Sequence, residues 1–216
     1  MNKTVYRILL MTLFLVVIFI ADIFLGSVNI PLSDFFEYLI GNGWSHPSYE
    51  AIIFQDRIPK ALTACFAGSA LAVSGLLMQS FFRNPLAGPY VLGISSGASL
   101  GVALLLLLFS GSFFLSVPLA ACIGSLLVLV IMIWASKRFR SSVSLLILGL
   151  MISYLTGALV GVLQYFSKSE EIQSFVLWGL GSFAKTQWID LQIMLPVLVL
   201  GLVFAYSRSK ALNSLL

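Results

Sequence analysis

Serines placed between glycines are the first residues of this sequence that could carry out chemistry. The stretch Gly93–Gly101, GISSGASLG, contains G-x-S-x-G twice, with Ser95 and Ser99 at the two centres. That spacing is typical of the nucleophile of a serine hydrolase, which lies on a sharp turn between a strand and a helix. The same stretch has glycine at every fourth position, a spacing through which membrane helices approach each other closely.

A hydrolase needs a base beside its serine, and His46 is the only histidine in the chain. The charge count given below places His46 across a membrane from Ser95 and Ser99, and the residues before Gly93 resemble a turn that leads directly into a helix. We therefore expect no catalytic residues and no enzyme activity in this chain. It also contains no G-x-x-x-x-G-K-[ST] motif, so any use of ATP and Mg²⁺ is expected to reside in a partner.

The composition indicates an all-α integral membrane protein. Of the 216 residues, 60% are hydrophobic and 9% are charged, which is too apolar for a soluble domain of this length. The charged residues are clustered, and the gaps between clusters can cross the roughly 30 Å hydrocarbon core with about 20 helical residues each. Cys65 and Cys122 each lie in an apolar segment, so we predict neither a disulfide nor a metal site.

The hydropathy pattern predicts six spans and two short helices on the outer surface. The spans are expected at about 8–26, 59–81, 91–110, 113–135, 143–166 and 189–207. Between the second and third spans we predict a cytoplasmic turn formed by Arg83, Asn84 and Pro85, because proline removes a backbone donor and disfavours helix at the residue before it. The outer helices are expected within PLSDFFEYLI, capped by Ser33, and at about 170–178.

Lysine and arginine positions favour an orientation with both termini in the cytoplasm. This orientation puts four cations outside, namely Arg57, Lys60, Lys168 and Lys185, and eight inside: Lys3, Arg7, Arg83, Lys137, Arg138, Arg140, Arg208 and Lys210. The excess of basic residues is thus explained by the membrane, and we predict no nucleic-acid partner.

Small residues form a second stripe in the fifth predicted span. Gly149, Ser153, Gly157 and Gly161 recur at every fourth position, which predicts close helix packing like that of Gly93, Gly97 and Gly101. By angle, Ser153, Gly157, Val160 and Gln164 fall within about 60° of one another. Gln164 is then expected to face either a partner or aqueous path, or another helix to which it hydrogen-bonds.

The residues Arg57–Gly101, followed by LILGLMIS, WGLGSF and ALNSLL in order, resemble the permease subunits of FecCD-type ABC importers for iron-siderophore complexes, haem and vitamin B12. By physics alone, Arg57 and Lys60 are an interfacial charge pair that anchors a helix end. The resemblance implies instead that they dock an extracytoplasmic binding protein, with a weaker contact at Lys60 because lysine lacks the planar fork of arginine.

The resemblance implies further partners and roles. It implies a bacterial inner-membrane complex of two permease subunits, identical or homologous, with two ATP-binding cassette subunits. Ser142 and Val143 match the cytoplasmic gate, and the stripe with Ser153, Gly157, Val160 and Gln164 matches the translocation path or dimer interface. A secondary transporter or a polytopic scaffold with small-residue packing is the alternative.

Members of that family have ten membrane helices, of which this chain is expected to hold the first six. The sequence stops at Leu216, before the segment that contacts the ATPase, so the chain alone is expected not to transport. A shortened chain, an interrupted gene or one half of a split permease would each give this length. The substrate is not specified by the residues.

Overall fold

The computed structural model describes residues 3–41, 43–109, 115–139 and 141–208, and within these ranges the chain is helical without strands. The α-helices are α1 Lys3–Phe24, α2 Leu32–Ile40, α3 Pro47–Ala51, α4 Ile58–Phe82, α5 Ile94–Ala103, α6 Val117–Arg138, α7 Ser142–Phe166, α8 Ser169–Gly179 and α9 Trp188–Ser207. Two π-helical segments are continuous with these helices. The first, π1, is Ile52–Arg57 and leads from α3 into α4, and the second, π2, is Leu104–Leu108 and extends α5.

Within the part of the chain that the structure describes, five helical segments are long and apolar enough to cross a membrane, namely Lys3–Phe24, Pro47–Phe82, Val117–Arg138, Ser142–Phe166 and Trp188–Ser207. The span predicted at 91–110 is shorter in the structure, where the apolar helical segment is Ile94–Leu108. The helix starts late since Gly93, at φ 74°, holds a left-handed conformation that a helix cannot continue through. Ser110 and the first residues of the predicted span 113–135 lie outside the described residues, as do Arg140 and Lys210.

The chain divides into two compact units, with boundaries inside α4 and α9. One comprises residues 1–70 and 183–203, and the other comprises 71–182 and 204–216. In the first unit an aromatic cluster lies where α1 ends: the rings of Phe24 and Phe35 are 5.3 Å apart, and those of Tyr38 and Trp44 are stacked at 4.7 Å. This cluster attaches α2 to the rest of its unit.

The second unit has two buried cores around α5, α6 and α7. The first contains Phe82, Ala87, Val128, Met132, Ala135 and Leu145. The second contains Val102, Ala103, Leu107, Val160 and Phe175, so it joins π2 to α7 and α8. Beyond the end of α7, the Ser167 hydroxyl lies 3.2 Å from the Leu107 carbonyl oxygen.

The turn between α4 and α5 has a local cause. Arg83 takes a positive φ of 48°, and the side-chain oxygen of Asn84 accepts a hydrogen bond from the Leu86 amide at 2.9 Å. Asn84 therefore provides the side-chain hydrogen bond of this turn, directly before Pro85.

The two short helices predicted outside the spans are both present. The helix expected at about 170–178 is α8, whose start is stabilised because the Lys168 amide donates to the Glu171 carboxylate at 3.1 Å. The other is α2, but Ser33 does not cap it. The residue before α2 is Pro31, and Ser33 lies inside the first turn without a capping hydrogen bond.

Candidate functional site

One serine of GISSGASLG, Ser96, contacts a neighbouring helix, whereas Ser95 is exposed. Ser95 and Ser99 are on α5, which starts at Ile94 directly after a turn and has no strand before it in the described chain. The neighbouring Ser96 hydroxyl lies 2.7 Å from the Gly93 carbonyl oxygen and 3.2 Å from the hydroxyl of Ser153 on α7. This environment lacks the strand–turn–helix geometry of a hydrolase nucleophile.

Glycines bring the backbones of α5 and α6 into direct contact. A Cβ atom on Gly97 would lie 2.6 Å from the Gly124 carbonyl oxygen and would also overlap the Val128 side chain. On Gly101, a Cβ would overlap the Ala120 carbonyl oxygen. The four-residue spacing of Gly97 and Gly101 thus produces the close approach that it predicts.

Gly124 is the partner that the sequence interpretation missed. A Cβ atom there would overlap the Gly97 carbonyl oxygen, so α5 and α6 each contribute a glycine to one contact. The signal was present, because Ala120 and Gly124 are small residues four positions apart on the facing helix.

A second close contact joins the start of α5 to α7. A Cβ atom on Gly93 would lie 2.8 Å from the Gly149 carbonyl oxygen, and one on Gly149 would lie 3.0 Å from the Leu92 Cα and overlap the Val91 carbonyl oxygen. The Ser153 hydroxyl, one turn further along α7, donates to the Gly149 carbonyl at 2.9 Å. Gly149 and Ser153 are therefore used for packing within the chain.

The predicted small-residue stripe on α7 is used only in part. Val160 is buried, but a Cβ atom on Gly157 or Gly161 would meet nothing within 4 Å. A four-residue repeat advances about 40° per step around a helix, so the later glycines rotate away from α5. Gln164 is half-buried near the C-terminal end of α7.

Arg57, one of the two predicted docking cations, is buried at 8% exposure. Its Nη1 atom donates to the Ile23 and Phe24 carbonyls at 2.9 and 3.0 Å, and Nη2 donates to the Val28 carbonyl. These partners include carbonyls at the C-terminal end of α1, which have no partner inside that helix. In this structure the guanidinium therefore caps α1, as a basic group at a helix C-terminus does favourably.

Lys60 has a different environment. Its Nζ lies 2.5 Å from the Asp56 carboxylate, and the two side chains are 28% and 54% exposed. Asp56 lies in π1, and Lys60 follows one helical turn later, in α4. Lys60 is thus the accessible member of the predicted docking pair.

A hydrogen bond from a distant tryptophan completes π1. The Ile58 amide donates to the Ile53 carbonyl. If this π-helical pattern continued, the Phe54 carbonyl would accept a hydrogen bond from the amide of residue 59. Residue 59 is proline, which has no N–H. The indole Nε1 of Trp188, on α9, donates to the Phe54 carbonyl at 2.8 Å instead. Trp188 was missed because its partner is 134 positions away in sequence.

The predicted gate lies at a helix end, and the two cysteines lie inside helices α4 and α6. Ser142 and Val143, the predicted gate, form the first turn of α7, where Ser142 is half-buried and Val143 is 62% exposed. Cys65 and Cys122 are free. Among the described residues there is no group of three or more histidine, cysteine or acidic side chains that could hold a metal.

Together, the apolar helices and the backbone contacts at glycines define a multi-pass α-helical membrane protein. The model of the FecCD transport family matches residues 13–216, and the chain belongs to this family.

Known relatives agree with that assignment. The chain is 38% identical over 190 residues to the hemin transport system permease protein HmuU of Yersinia pestis, an alignment that covers 84% of this chain and 57% of that protein. It is 32% identical over 180 residues to the vitamin B12 import system permease protein BtuC of Escherichia coli O17:K52:H18, covering 83% and 55%. The chain thus spans just over half the length of these relatives.

A solved structure is also similar. It is described as an inward-facing conformation of a metal-chelate type ABC transporter, and it matches with a TM-score of 0.81 at 31% identity. The match covers 94% of this chain and 62% of the other.

Proposed function

We propose that this protein is a permease subunit of a binding-protein-dependent ABC importer that moves haem, a cobalamin or an iron chelate inward by alternating access. The observation that carries the proposal is the similarity of most of the chain to permeases named for hemin and vitamin B12 import. The glycine contacts support it, because tightly packed helices can move as rigid bodies during alternating access.

The proposed assembly contains a second permease subunit, two ATP-binding cassette subunits that bind ATP and Mg²⁺, and an extracytoplasmic binding protein. The proposed location is the bacterial inner membrane with the N-terminus in the cytoplasm. The twelve basic residues support this orientation, since eight of them fall on the cytoplasmic side under it.

Within this assembly we assign docking of the binding protein chiefly to Lys60, because its ammonium group is accessible and its partner Asp56 is exposed. The role proposed for Arg57 is indirect, through the end of α1. Ser142 and Val143 are proposed to form the cytoplasmic gate, where a small and an apolar side chain would exclude water when closed.

The open side of α7 carries the proposed interface with the second permease subunit. Gly157 and Gly161 have free space around them, which supports a partner helix there. Ser153 and Val160 are in contact with α5 or π2, so their contribution to a translocation path is proposed to depend on movement of α7.

Transport by the complete complex in proteoliposomes tests the function. Haem, cyanocobalamin and a ferric siderophore are offered separately, each with its matching binding protein. We expect accumulation of one of them that requires ATP and stops when ATP is replaced by a non-hydrolysable analogue.

Accumulation that follows a proton or sodium gradient and ignores ATP would contradict the importer and support a secondary transporter. Vesicles without the binding protein are the control, since an importer of this class should then lose most of its uptake.

A further inference from the structure

The second helix, α2, has three distinct sides. At 100° per residue, Leu32, Phe36, Leu39 and Ile40 fall within about 100° of one another. All four side chains are exposed, at 52%, 59%, 62% and 76%. They form a continuous apolar stripe, which we call the α2 stripe, on a nine-residue helix.

The other two sides of α2 already have an environment. Phe35 and Tyr38 lie within about 60° of each other and face the aromatic cluster, where the Tyr38 ring is 5.9 Å from that of Phe54. Ser33, Asp34 and Glu37 form the polar side, and the Ser45 hydroxyl donates to the Asp34 carboxylate. The core-facing, polar and apolar sides divide the helix circumference into three sectors.

The contacts of α2 place it across the end of a membrane helix. Phe35 touches Phe24, the last residue of α1, and Tyr38 touches Phe54 in π1. At about 1.5 Å per residue, nine residues cover about 14 Å, which is too short to span the hydrocarbon core. A helix at this position lies at the level where a membrane helix leaves the bilayer.

Helix α1, which contacts α2 through Phe24 and Phe35, also presents an exposed apolar surface. α1 has no buried residue, and apolar side chains along its length are exposed, among them Leu13 at 65%. The stripe carries no charge, while the charged Asp34 and Glu37 lie on a different side. A helix with one side on protein, one on water and one uncharged apolar side fits the boundary between protein, water and lipid.

We propose that α2 is a membrane-surface anchor, with the α2 stripe inserted among the acyl chains of the outer leaflet and Asp34 and Glu37 in water. Stacked Tyr38 and Trp44 beside it fit the same depth, since these residue types are enriched at membrane interfaces. The proposal concerns the bilayer and holds whether or not the protein transports haem, cobalamin or iron chelates.

Spin-label accessibility in a bilayer tests the anchor. Labels are attached after Phe36→Cys, Ile40→Cys or Glu37→Cys in the intact protein with Cys65 and Cys122 replaced by alanine, reconstituted in phosphatidylcholine and phosphatidylglycerol. Oxygen concentrates in the acyl region and a nickel chelate in water. We expect labels at 36 and 40 to respond mainly to oxygen and the label at 37 mainly to nickel.

Leu13→Cys, on the exposed side of α1, gives the signal of a lipid-facing site and shows that each preparation is correctly inserted. Strong nickel accessibility at 36 and 40 would overturn the proposal and place the stripe in water. Protection of both positions from oxygen and nickel would also overturn it and assign the stripe to a protein partner.

Discussion

Arg57 stabilises the end of α1 because its guanidinium can donate several hydrogen bonds in one plane. The carbonyls of Ile23, Phe24 and Val28 accept from it, and Gly26 allows the approach: a Cβ atom there would lie 2.9 Å from Nη2. The three N–H donors of a lysine ammonium all lie on one nitrogen, so they do not reproduce the planar spread of Nη1 and Nη2 over these carbonyls. The contacts thus favour an intramolecular role for Arg57, with Lys60 as the accessible cation.

Arg57→Gln should loosen the end of α1. We expect a loss of about 1.5 to 3 kcal/mol of stability, the range for hydrogen bonds to a charged group. Hydrogen exchange followed by mass spectrometry should show faster exchange of the amides around Leu25, whose N–H bonds to the Ala21 carbonyl at 2.8 Å.

Lys60→Gln is the matched control, because it removes a cation three residues away that bonds only to Asp56 among the described contacts. It should leave exchange in α1 unchanged and reduce the salt dependence of binding-protein association. The contrary result is that Arg57→Gln leaves exchange in α1 unchanged and reduces the salt dependence of binding-protein association. That result would assign Arg57 to the docking surface.

Two side-chain hydrogen-bond sites connect π1 to other helices. Pro59 removes the amide that would bond to the Phe54 carbonyl, and Trp188 of α9 supplies the donor at 2.8 Å. Arg57, at the end of π1, reaches α1. The π-helical segment therefore joins α1 and α9 through two side-chain hydrogen-bond sites that helix propensity does not reveal.

The contact between α5 and α6 should be sensitive to a single methyl group. Gly97→Ala places a Cβ 2.6 Å from the Gly124 carbonyl oxygen, so the two helices must separate. We expect destabilisation of about 1 to 3 kcal/mol, as for overpacking in other cores, visible as a lower midpoint of thermal unfolding in detergent.

Gly75→Ala, in the interior of α4, is the control for Gly97→Ala. A Cβ atom there meets nothing within 4 Å, and alanine is the better helix former by about 1 kcal/mol. Its unfolding midpoint should be equal to that of the parent or higher. Equal midpoints for both variants would mean that α5 and α6 are not in backbone contact.

The sequence could predict contacts that depend on local spacing, but not those that depend on the path of the whole chain. Gly97 and Gly101 were predictable because a four-residue repeat keeps neighbouring turns on one side. Gly157 and Gly161 were assigned to the same stripe as Gly149, although the repeat drifts by about 40° per step. Trp188 had no local signal, since its partner carbonyl is distant in sequence.

On the scale of the whole molecule, composition predicted a membrane protein because a chain with 60% hydrophobic residues cannot bury them internally. The structure agrees, since large apolar side chains remain exposed on α1, α6, α7 and α9. Lipid can cover most of this surface. Glycine has no side chain, however, so the surface of α7 around Gly157 and Gly161 leaves room for a second helix.

The proposed pairing of two permease subunits can be tested on that surface. Replacing Gly157 and Gly161 together by leucine should weaken subunit association by about tenfold or more, because bulky side chains keep partner backbones apart. The fold of each chain should remain, since Cβ atoms at both positions meet nothing within 4 Å and leucine favours helix over glycine. Association is measured by energy transfer between labelled copies in nanodiscs. Gly201→Leu, at another open position on α9, is the control. Equal association of the parent protein, the double variant and Gly201→Leu would exclude this side of α7 from the interface. Weaker association of the double variant alone would place the second subunit there.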